Sequence, residues 1–547
     1  MSSLINTAMS GLSAAQAALS TTSNNITNYA VTGYSRQTTI LEQGNSTLSG
    51  NSYYGNGVNV GTVQREYDAF ITNQLRSASA SYSASNTEYS QISNIDDMLS
   101  STSTSLSTQI QTFFTNIQNV VSNADDPSSR QAMLSNAQGL VSQFQTNAQY
   151  LNNMQGSVNS SVSSSVDQIN TYASQIADLN TQIGKLTTGD GAAPNDLLDK
   201  RDQLVSDLNN IAGVSVTQQG SSYTVSMSGI TLVNGSRTTS LVAMPASSDP
   251  SRTTVGYVDK QAGNVEIPES SLTTGSLGGV LTFRSQDLDL AQNQLGQLAA
   301  AFTTSFNSVH AQGYDSNGDT GKNFFNIGSP DVISNTKNTG TASVSASWTD
   351  TSAVKASNYS VSYDGSNWSV TRLADNVQVT PTTSTDSSGN QTLSFDGLQL
   401  TVDGTPAAKD SFLVKPVQNV INGMSVAITD ESQIAAASAA GGESDNRNAQ
   451  KLLDLQDSNL VNGNATLTQA YASLVSSVGN KTSSLETSST TQESVVNQLS
   501  DRQQSVSGVN LDEEYANLTK YQQYYMANAQ VLQTAGTIFD ALIQATS

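Results

Sequence analysis

Small and apolar residues recur at three- and four-residue steps near the start of the chain: Ile5, Ala8, Leu12, Ala15, Leu19, Thr22 and Ile26. Residues 511–547 keep the same rhythm at Leu511, Tyr515, Leu518, Gln522, Tyr525, Ala529, Leu532, Gly536, Phe539 and Ile543. That spacing places one stripe along one helical face. It predicts two terminal helices with coiled-coil seams. The first runs from Ser2 to about Thr27, roughly 40 Å at ~1.5 Å per residue. Residues 1–35 contain no Lys, Arg, Asp or Glu, and after Lys520 the one charge is Asp540. Nearly uncharged helices at both ends suggest segments that pack on each other and on neighbouring copies. The plain alternative is a pair of amphipathic helices closing one domain.

Between the ends the period changes twice. Residues 40–64, rich in Gly, Asn and Val, predict an extended segment or hairpin. From Asp68 the helical step resumes through Ile71, Leu75, Ala78, Tyr82, Tyr89 and Ile92. A Ser/Thr patch at 100–105 should break it. Leu106, Ile110, Phe113, Phe114, Ile117 and Val120 make a shorter helix. Asp126-Pro127 then reads as N-cap and first turn of a long helix through Leu151, Val158, Val162, Ile169, Ile176 and Ile183. Gly189-Asp190-Gly191 reads as a loop, and Asn195 as the cap of another helix. Residues 213–270 alternate with period two, as at Tyr223, Val225 and Met227, and predict short strands. A helix follows from about Gly275 to His310. A second strand-rich stretch covers 340–418, with Asp-Gly hairpin signals at Asp364-Gly365, Asp396-Gly397 and Asp403-Gly404. An Ala/Gly/Ser linker at 430–450 precedes the last helices, which begin near Asn448.

The fold class is therefore multidomain α + β: a long helical coiled-coil or bundle rod formed by both ends of the chain, with two inserted all-β domains. The expected division is a terminal helical domain of 1–40 with 508–547, a rod of 41–212 with 271–339 and 419–507, and β insertions at 213–270 and 340–418. Flanked by helices on both sides, the β insertions should project from the rod. A length of 547 residues suggests roughly three to five units.

Composition narrows the function. Charged residues are only 12%, yet the formal net charge is -22. No basic run is available to neutralise phosphates, which argues against nucleic acid and anionic membrane surfaces. The polarity comes from Ser, Thr, Asn and Gln, which satisfy extended interfaces without burying charge. There is no cysteine, so disulfides, thiolate catalysis and Cys-ligated zinc are excluded. No window approaches the roughly 18 apolar residues of a membrane span. Residues 1–30 lack a basic n-region and a continuous apolar h-region, so a cleaved export signal is not expected.

Candidate chemistry is sparse. Asp196, Asp199, Lys200, Arg201 and Asp202 could suggest a catalytic or metal cluster, but read as a solvated helix face with i,i+4 pairs. The single histidine, His310, reads as a packing or surface residue. Asp315–Gly321 faintly resembles a calcium loop, but its sixth position is Thr320 and its twelfth Asn326, so a turn is expected. Trp348 and Trp368 read as packing residues on strands. Catalytic, cofactor and metal residues are expected to be none, and so are cofactors. No paired-acid cleft signature or Gly-x-Ser-x-Gly elbow supports a secreted wall hydrolase, and an adhesin with glycan-binding β domains is a remote alternative.

The run Asn24, Asn25, Ile26, Asn28, Gly33, Tyr34, Ser35 and Arg36 resembles the N-terminal signature of bacterial flagellar rod, hook and hook-associated proteins. Gly508–Tyr515, followed by Leu518, Tyr521, Gln522, Tyr525, Ala527 and Asn528, resembles the C-terminal signature of the same family. Asn195–Leu204 resembles the members at the hook side of the hook–filament junction. The resemblance covers most of residues 1–310 and 395–547. It implies a structural axial protein rather than an enzyme, located in the extracellular flagellum and exported unfolded by the flagellar type III secretion apparatus. It implies a homo-oligomeric tubular ring in contact with the hook protein and the second junction protein, and an export chaperone on the C-terminal segment. Subunit packing would fall to Ile5, Ala8, Leu12, Ala15, Leu19, Ile26, Leu511, Tyr515, Leu518, Tyr525, Leu532, Phe539 and Ile543. These ends would be mobile in the free monomer and order on assembly. The distal junction protein, hook protein and flagellin types remain the alternatives within the flagellar axis.

Overall fold

The computed structural model describes residues 2–100, 105–187, 194–442 and 444–546. The expected break at 100–105 falls largely on residues 101–104, and the expected loop at Gly189–Gly191 falls within 188–193; both lie outside the described residues. The long helices are α1 (Ser2–Asn28), α2 (Ala69–Ser100), α3 (Leu106–Ser122), α4 (Pro127–Leu186) and α5 (Asn195–Ile211). They continue with α6 (Gly275–Thr282), α7 (Asp289–His310), α8 (Arg447–Asp454), α9 (Leu467–Ser507) and α10 (Leu511–Thr546). A π-helical turn, Phe283–Leu288, joins α6 to α7. The paired strands all lie between α1 and α8 in the chain, and the fold class is the α + β arrangement expected, with helical ends and antiparallel sheets in the middle.

The local signals explain several boundaries. The Asp126 carboxylate accepts the backbone N–H groups of Ser128 (3.2 Å) and Ser129 (3.0 Å), capping α4 just ahead of Pro127. Asp396 and Gly397 both take left-handed backbone (φ 42° and 75°), which a two-residue hairpin turn requires; Phe395 pairs with Leu398 across it. Two signals misled. Asn195 is not a cap: it is the first residue of α5, behind Pro194, and its amide donates to Val63 O instead. Asp403-Gly404 closes no hairpin, because the strand after it, Ser411–Lys415, joins a different sheet.

The chain divides into two compact units. The first comprises residues 2–83, 167–241 and 490–546. In it α1 lies along α10. Ala8, Ala14, Ala15 and Ala18 are buried there. A Cβ on Gly11 would sit 2.3 Å from the Asn528 Oδ1, so glycine is what lets the helices approach. The stripe that α10 turns inward is Glu514, Tyr521, Asn528 and Ala535, spaced by seven. It is displaced from the sequence-derived seam: Tyr515, Tyr525, Phe539 and Ile543 are exposed. A hairpin, Gln37–Gln43 with Val58–Arg65, and a four-stranded antiparallel sheet over 215–238 complete this unit.

The second unit comprises residues 84–166 and 242–489. Its densest core is aromatic. Phe113 on α3 packs edge-on to Phe302 on α7 at 5.7 Å between centroids, and Phe306, Phe324 and Phe325 close around them. His310, at the end of α7, is fully buried against Phe306 and Phe324. Its Nδ1 donates to Lys322 O (2.6 Å), and its Nε2 accepts from Ala435 N–H (2.9 Å), which fixes the neutral tautomer. Residues 434–437, within the linker expected at 430–450 from its Ala-rich composition, are therefore buried chain. Arg130 reinforces this, donating to the carbonyls of Ala124 and Ile434.

Two further sheets belong to the second unit. A five-stranded sheet runs 331–334, 411–415, 359–363, 368–372, 377–379 in spatial order, and a four-stranded sheet runs 343–348, 398–403, 391–395, 382–385. Their inner residues bury each other, with Tyr359 and Phe395 rings 5.1 Å apart. Trp368 is among those core residues and donates to the Gln391 side chain; Trp348 donates to Pro416 O. Both tryptophans are packing residues.

Burial holds the His310 pKa below its ordinary 6.5. A depressed histidine contributes stability that is complete above pH 6.5 and lost as pH falls through its folded pKa. Because the chain has one histidine, its imidazole C2–H proton resonance needs no assignment, and it should titrate with a midpoint below 6.5; a midpoint at 6.5 or above would contradict this packing.

Candidate functional site

The feature that unites the motif residues is a buried polar network in the first unit. It begins where α1 ends. The Asn25 side chain is 1% exposed and uses every hydrogen-bonding position it has. Its amide nitrogen donates to Gln37 O (2.8 Å) and Glu514 Oε2 (3.1 Å). Its oxygen accepts from Gln37 N–H (3.0 Å) and Tyr34 Oη–H (2.8 Å). Glu514 lies in the first turn of α10, so one asparagine joins the two chain ends. Gly33 makes the reversal between Asn25 and Tyr34 at φ 81°, and a Cβ there would crowd the Gln203 side chain.

Arg36 extends the joint. Its guanidinium pairs with Glu513 (2.8 Å) and Glu514 (3.1 Å), while its backbone N–H donates to Ser507 O at the end of α9 (2.8 Å). Negative side chains in the first turn of α10 also complement the helix dipole. Burial, followed by the nearby Asp199 and Glu514 charges, pushes the Tyr34 hydroxyl up to about 12, so it stays a donor.

From Ser35 the network passes to α5. Asp199 accepts from Ser35 N–H (3.0 Å) and Ser35 Oγ–H (2.8 Å), and it pairs with Arg65 (2.9 Å). Arg65 also pairs with Asp202 (2.7 Å), which takes Arg76 (3.0 Å) and the Tyr223 hydroxyl (3.0 Å). The Arg201 guanidinium stacks 3.5 Å over the Tyr223 ring and donates to Asn180 Oδ1 and Ser221 O. Asp199, Arg201 and Asp202 are therefore buried, not the solvated face expected from sequence. Their i,i+4 neighbours are not their partners; Arg65, Arg76, Ser35 and Tyr223 are, all distant in the chain. Burial raises the Asp199 carboxyl above its ordinary value despite the Ser35 and Arg65 bonds.

The arrangement offers no reactive geometry. Every acid in it is committed to arginine, amide or hydroxyl partners. Of the motif residues, Asn25, Gly33, Tyr34 and Arg36 meet here. Asn24 is exposed, and Asn28 donates to Asn24 O within α1. Of the packing candidates, Ala8 and Ala15 are buried; Ile5, Leu12, Leu19, Ile26, Leu511, Leu518 and Leu532 are half-buried. Sequence reasoning missed Arg65, Arg76 and Tyr223, whose one available signal was a scarce charge or an aromatic beside turn glycines, and Asn180, which carried no signal. Asp315, in the faint calcium-like run, spends its Oδ1 on the N–H groups of Asn317 and Asp319.

Family models match along the chain: a flagella basal body rod protein at residues 5–34, the helical domain of flagellar hook-associated protein FlgK at 92–325, a D2-like domain of flagellar hook-associated protein 1 at 333–416, and the C-terminal region of flagellar basal body rod proteins FlgEFG at 502–545. Flagellar hook-associated protein 1 of Escherichia coli K12 is 59% identical over 99% of this chain and 100% of its own. The chain belongs to the flagellar hook-associated protein 1 family. The Salmonella typhimurium LT2 relative is also 59% identical over 99% of this chain and 100% of its own. The structure of the hook junction protein FlgK from Burkholderia pseudomallei covers 80% of this chain and 100% of its own, at 32% identity and a TM-score of 0.76. The protein is thus a structural component of the flagellar hook–filament junction and not an enzyme.

Removing Asp199 leaves Arg65 with Asp202 alone and strips the Ser35 N–H and hydroxyl of their acceptor; breaking such a buried network costs about 3–5 kcal/mol. Asp199→Ala should lower the denaturant midpoint of the first unit accordingly. Asp196→Ala, exposed on the same helix, should stay within about 0.5 kcal/mol. Equal effects would return this cluster to a solvated face.

Proposed function

We propose that this protein is a ring-forming subunit whose two terminal helices build the packed wall of the junction, seated on the hook protein and offering a platform to the second junction protein. The observation that carries the reading is the outward face of α10. Tyr515, Tyr525, Phe539 and Ile543 are exposed, with Met526, Ile538 and Leu542 beside them, and Leu4 and Met9 are exposed on α1. An apolar surface of this length with so few charges needs a partner. The intramolecular stripe of Glu514 and Ala535 is already used against α1, so the outward stripe is free for a neighbouring copy. Ala8, Ala15, Leu12, Leu19 and Ile26, with Leu511, Leu518 and Leu532, then set the spacing between the paired helices. The buried network of Asn25, Arg36 and Glu514 presents the pair as one element.

Before assembly the same stripe would need cover, which an export chaperone on the C-terminal segment supplies. The family membership supports passage through the flagellar export apparatus to the cell exterior. The projected roles of the domains follow: residues 1–40 with 508–547 join subunits, the helical rod supports them, and the β insertions at 213–270 and 340–418 shape the outer surface.

Deletion of residues 1–35 or of 511–547 should leave bare hooks by electron microscopy, with filament protein shed into the medium. A milder variant separates assembly from folding. Phe539→Asp with Ile543→Asp, supplied as purified protein to bare hooks, should fail to support filaments where the parent protein succeeds, while the Asn25 network stays intact. Normal filaments on that double variant would overturn the packing role of α10.

A further inference from the structure

The second unit contains a cavity of about 750 Å³ that the junction role does not use. Its walls come from α2, the π-helical turn, α7, α9 and the turn at 373–376. The size is that of a small-molecule site. Its polar lining is unusual in one respect: four buried side-chain oxygens, Asp287 Oδ2, Asn293 Oδ1, Gln294 Oε1 and Asn358 Oδ1, have no hydrogen-bond donor among the described residues. Asn293 is 2% exposed and Asn358 4%. Buried polar atoms are rarely left without partners. All four are acceptors, so the missing partner is a donor.

The charges around the cavity point the same way. Arg252 pairs with both Asp249 and Asp289, Arg284 with Glu269, and Lys481 with Glu88 at 2.9 Å. Asp287 is the lining carboxylate with no ion-pair partner; Lys481 faces it, and the Glu88 carboxyl is within hydrogen-bonding reach of it whenever one of the two carries a proton. It stands on the π-helical turn, the kind of helix irregularity that recurs at functional sites.

We infer that this cavity binds a small organic cation carrying several N–H donors, an aliphatic diamine or longer oligoamine, with one ammonium on Asp287 and the remaining donors on Asn293, Gln294 and Asn358. A single metal ion fits less well. Asn293 and Gln294 are consecutive on α7 and so diverge by about 100° around the helix; one ion cannot meet both, whereas a flexible chain with separated donors can. The inference stands on the cavity alone and does not depend on how subunits assemble.

Burial, with Lys481 opposing and Glu88 adding, raises the Asp287 carboxyl to about 7. Below that pH the group is neutral and offers no charge to an ammonium. Amine binding should therefore tighten by about tenfold between pH 6 and pH 8. The sign for the empty protein is opposite. A raised carboxyl favours the folded state when protonated, so its contribution falls as pH rises from 3.8 through 7. Asp287→Asn should therefore melt no lower than the parent at pH 8, which makes it a folded control.

The test is calorimetric titration of the full chain with 1,4-diaminobutane, and with magnesium chloride and sodium chloride at matched ionic strength. Saturable binding of the diamine at pH 8, weaker at pH 6, is the expected result. Asp287→Asn should weaken it at least tenfold, and Asp512→Asn, on α10 in the other unit, should leave it unchanged. No saturable heat with the diamine, an equal response to either salt, or unchanged affinity in Asp287→Asn would each overturn the assignment and leave a water-filled cavity.

Discussion

A small set of arginines and carboxylates buried together is the constraint on which the first unit depends. A chain with 12% charged residues can spare little electrostatic repulsion or attraction at its surface. It places Arg65, Arg76 and Arg201 where their guanidinium groups meet carboxylates, amides and an aromatic ring away from water, and Arg36 at the edge of that cluster. Such groups contribute modest net stability, because desolvation offsets much of the attraction. What they supply is selectivity of arrangement. An arginine at position 36 that must find Glu513 and Glu514 tolerates only one register between the end of α1 and the start of α10. Apolar packing of alanine on alanine would tolerate several, since small residues look alike at each turn.

This division of labour explains the composition of the terminal helices. Alanine and glycine let α1 and α10 approach closely but bury little area each, so the pair cannot be held by apolar contact alone. The polar network pins the pair at one end. Beyond it, large apolar side chains on α10 remain outside the pair. A helix that used those side chains inward would be more stable alone and would have nothing left for a neighbour. The second unit follows the opposite plan. Its phenylalanine cluster and the facing sides of its two sheets turn their large side chains inward.

Much of this was legible in the sequence, and the exceptions share a cause. The limits of α1, the cap at Asp126, the turn at Asp396-Gly397 and the alternation of Tyr359 and Val361 are set by neighbours within a few residues, which a sequence displays directly. The seam of α10 was legible as a period but not as a face. Two stripes, one inward at Glu514 and Ala535 and one outward at Tyr525 and Phe539, obey nearly the same spacing, and periodicity cannot say which meets its own chain. Asp199 and Asp202 misled because their partners lie far away, so their local i,i+4 neighbours suggested a surface. Residues 434–437 misled because alanine is at home both in linkers and in tight cores. Only the carbonyl and N–H partners of Arg130 and His310 distinguish the two.

The Asn25 amide carries a consequence for chemical ageing. Spontaneous deamidation turns asparagine into aspartate by attack of the next backbone nitrogen on the side-chain carbonyl. At Asn25 it would set a new carboxylate beside buried Glu514 and delete both donated bonds, cutting the link between the chain ends. The structure slows this where it matters. The attacking nitrogen belongs to β-branched Ile26, the backbone is held in α1, and four hydrogen bonds fix the amide. Asn317-Gly318, in an exposed turn with glycine at φ 83°, is held less: no β-branched residue follows, and the Asn317 amide makes one side-chain bond, to Ser432 Oγ at 3.3 Å. Damage of this kind would accumulate first in the turns, while the joint between the two ends keeps its original chemistry.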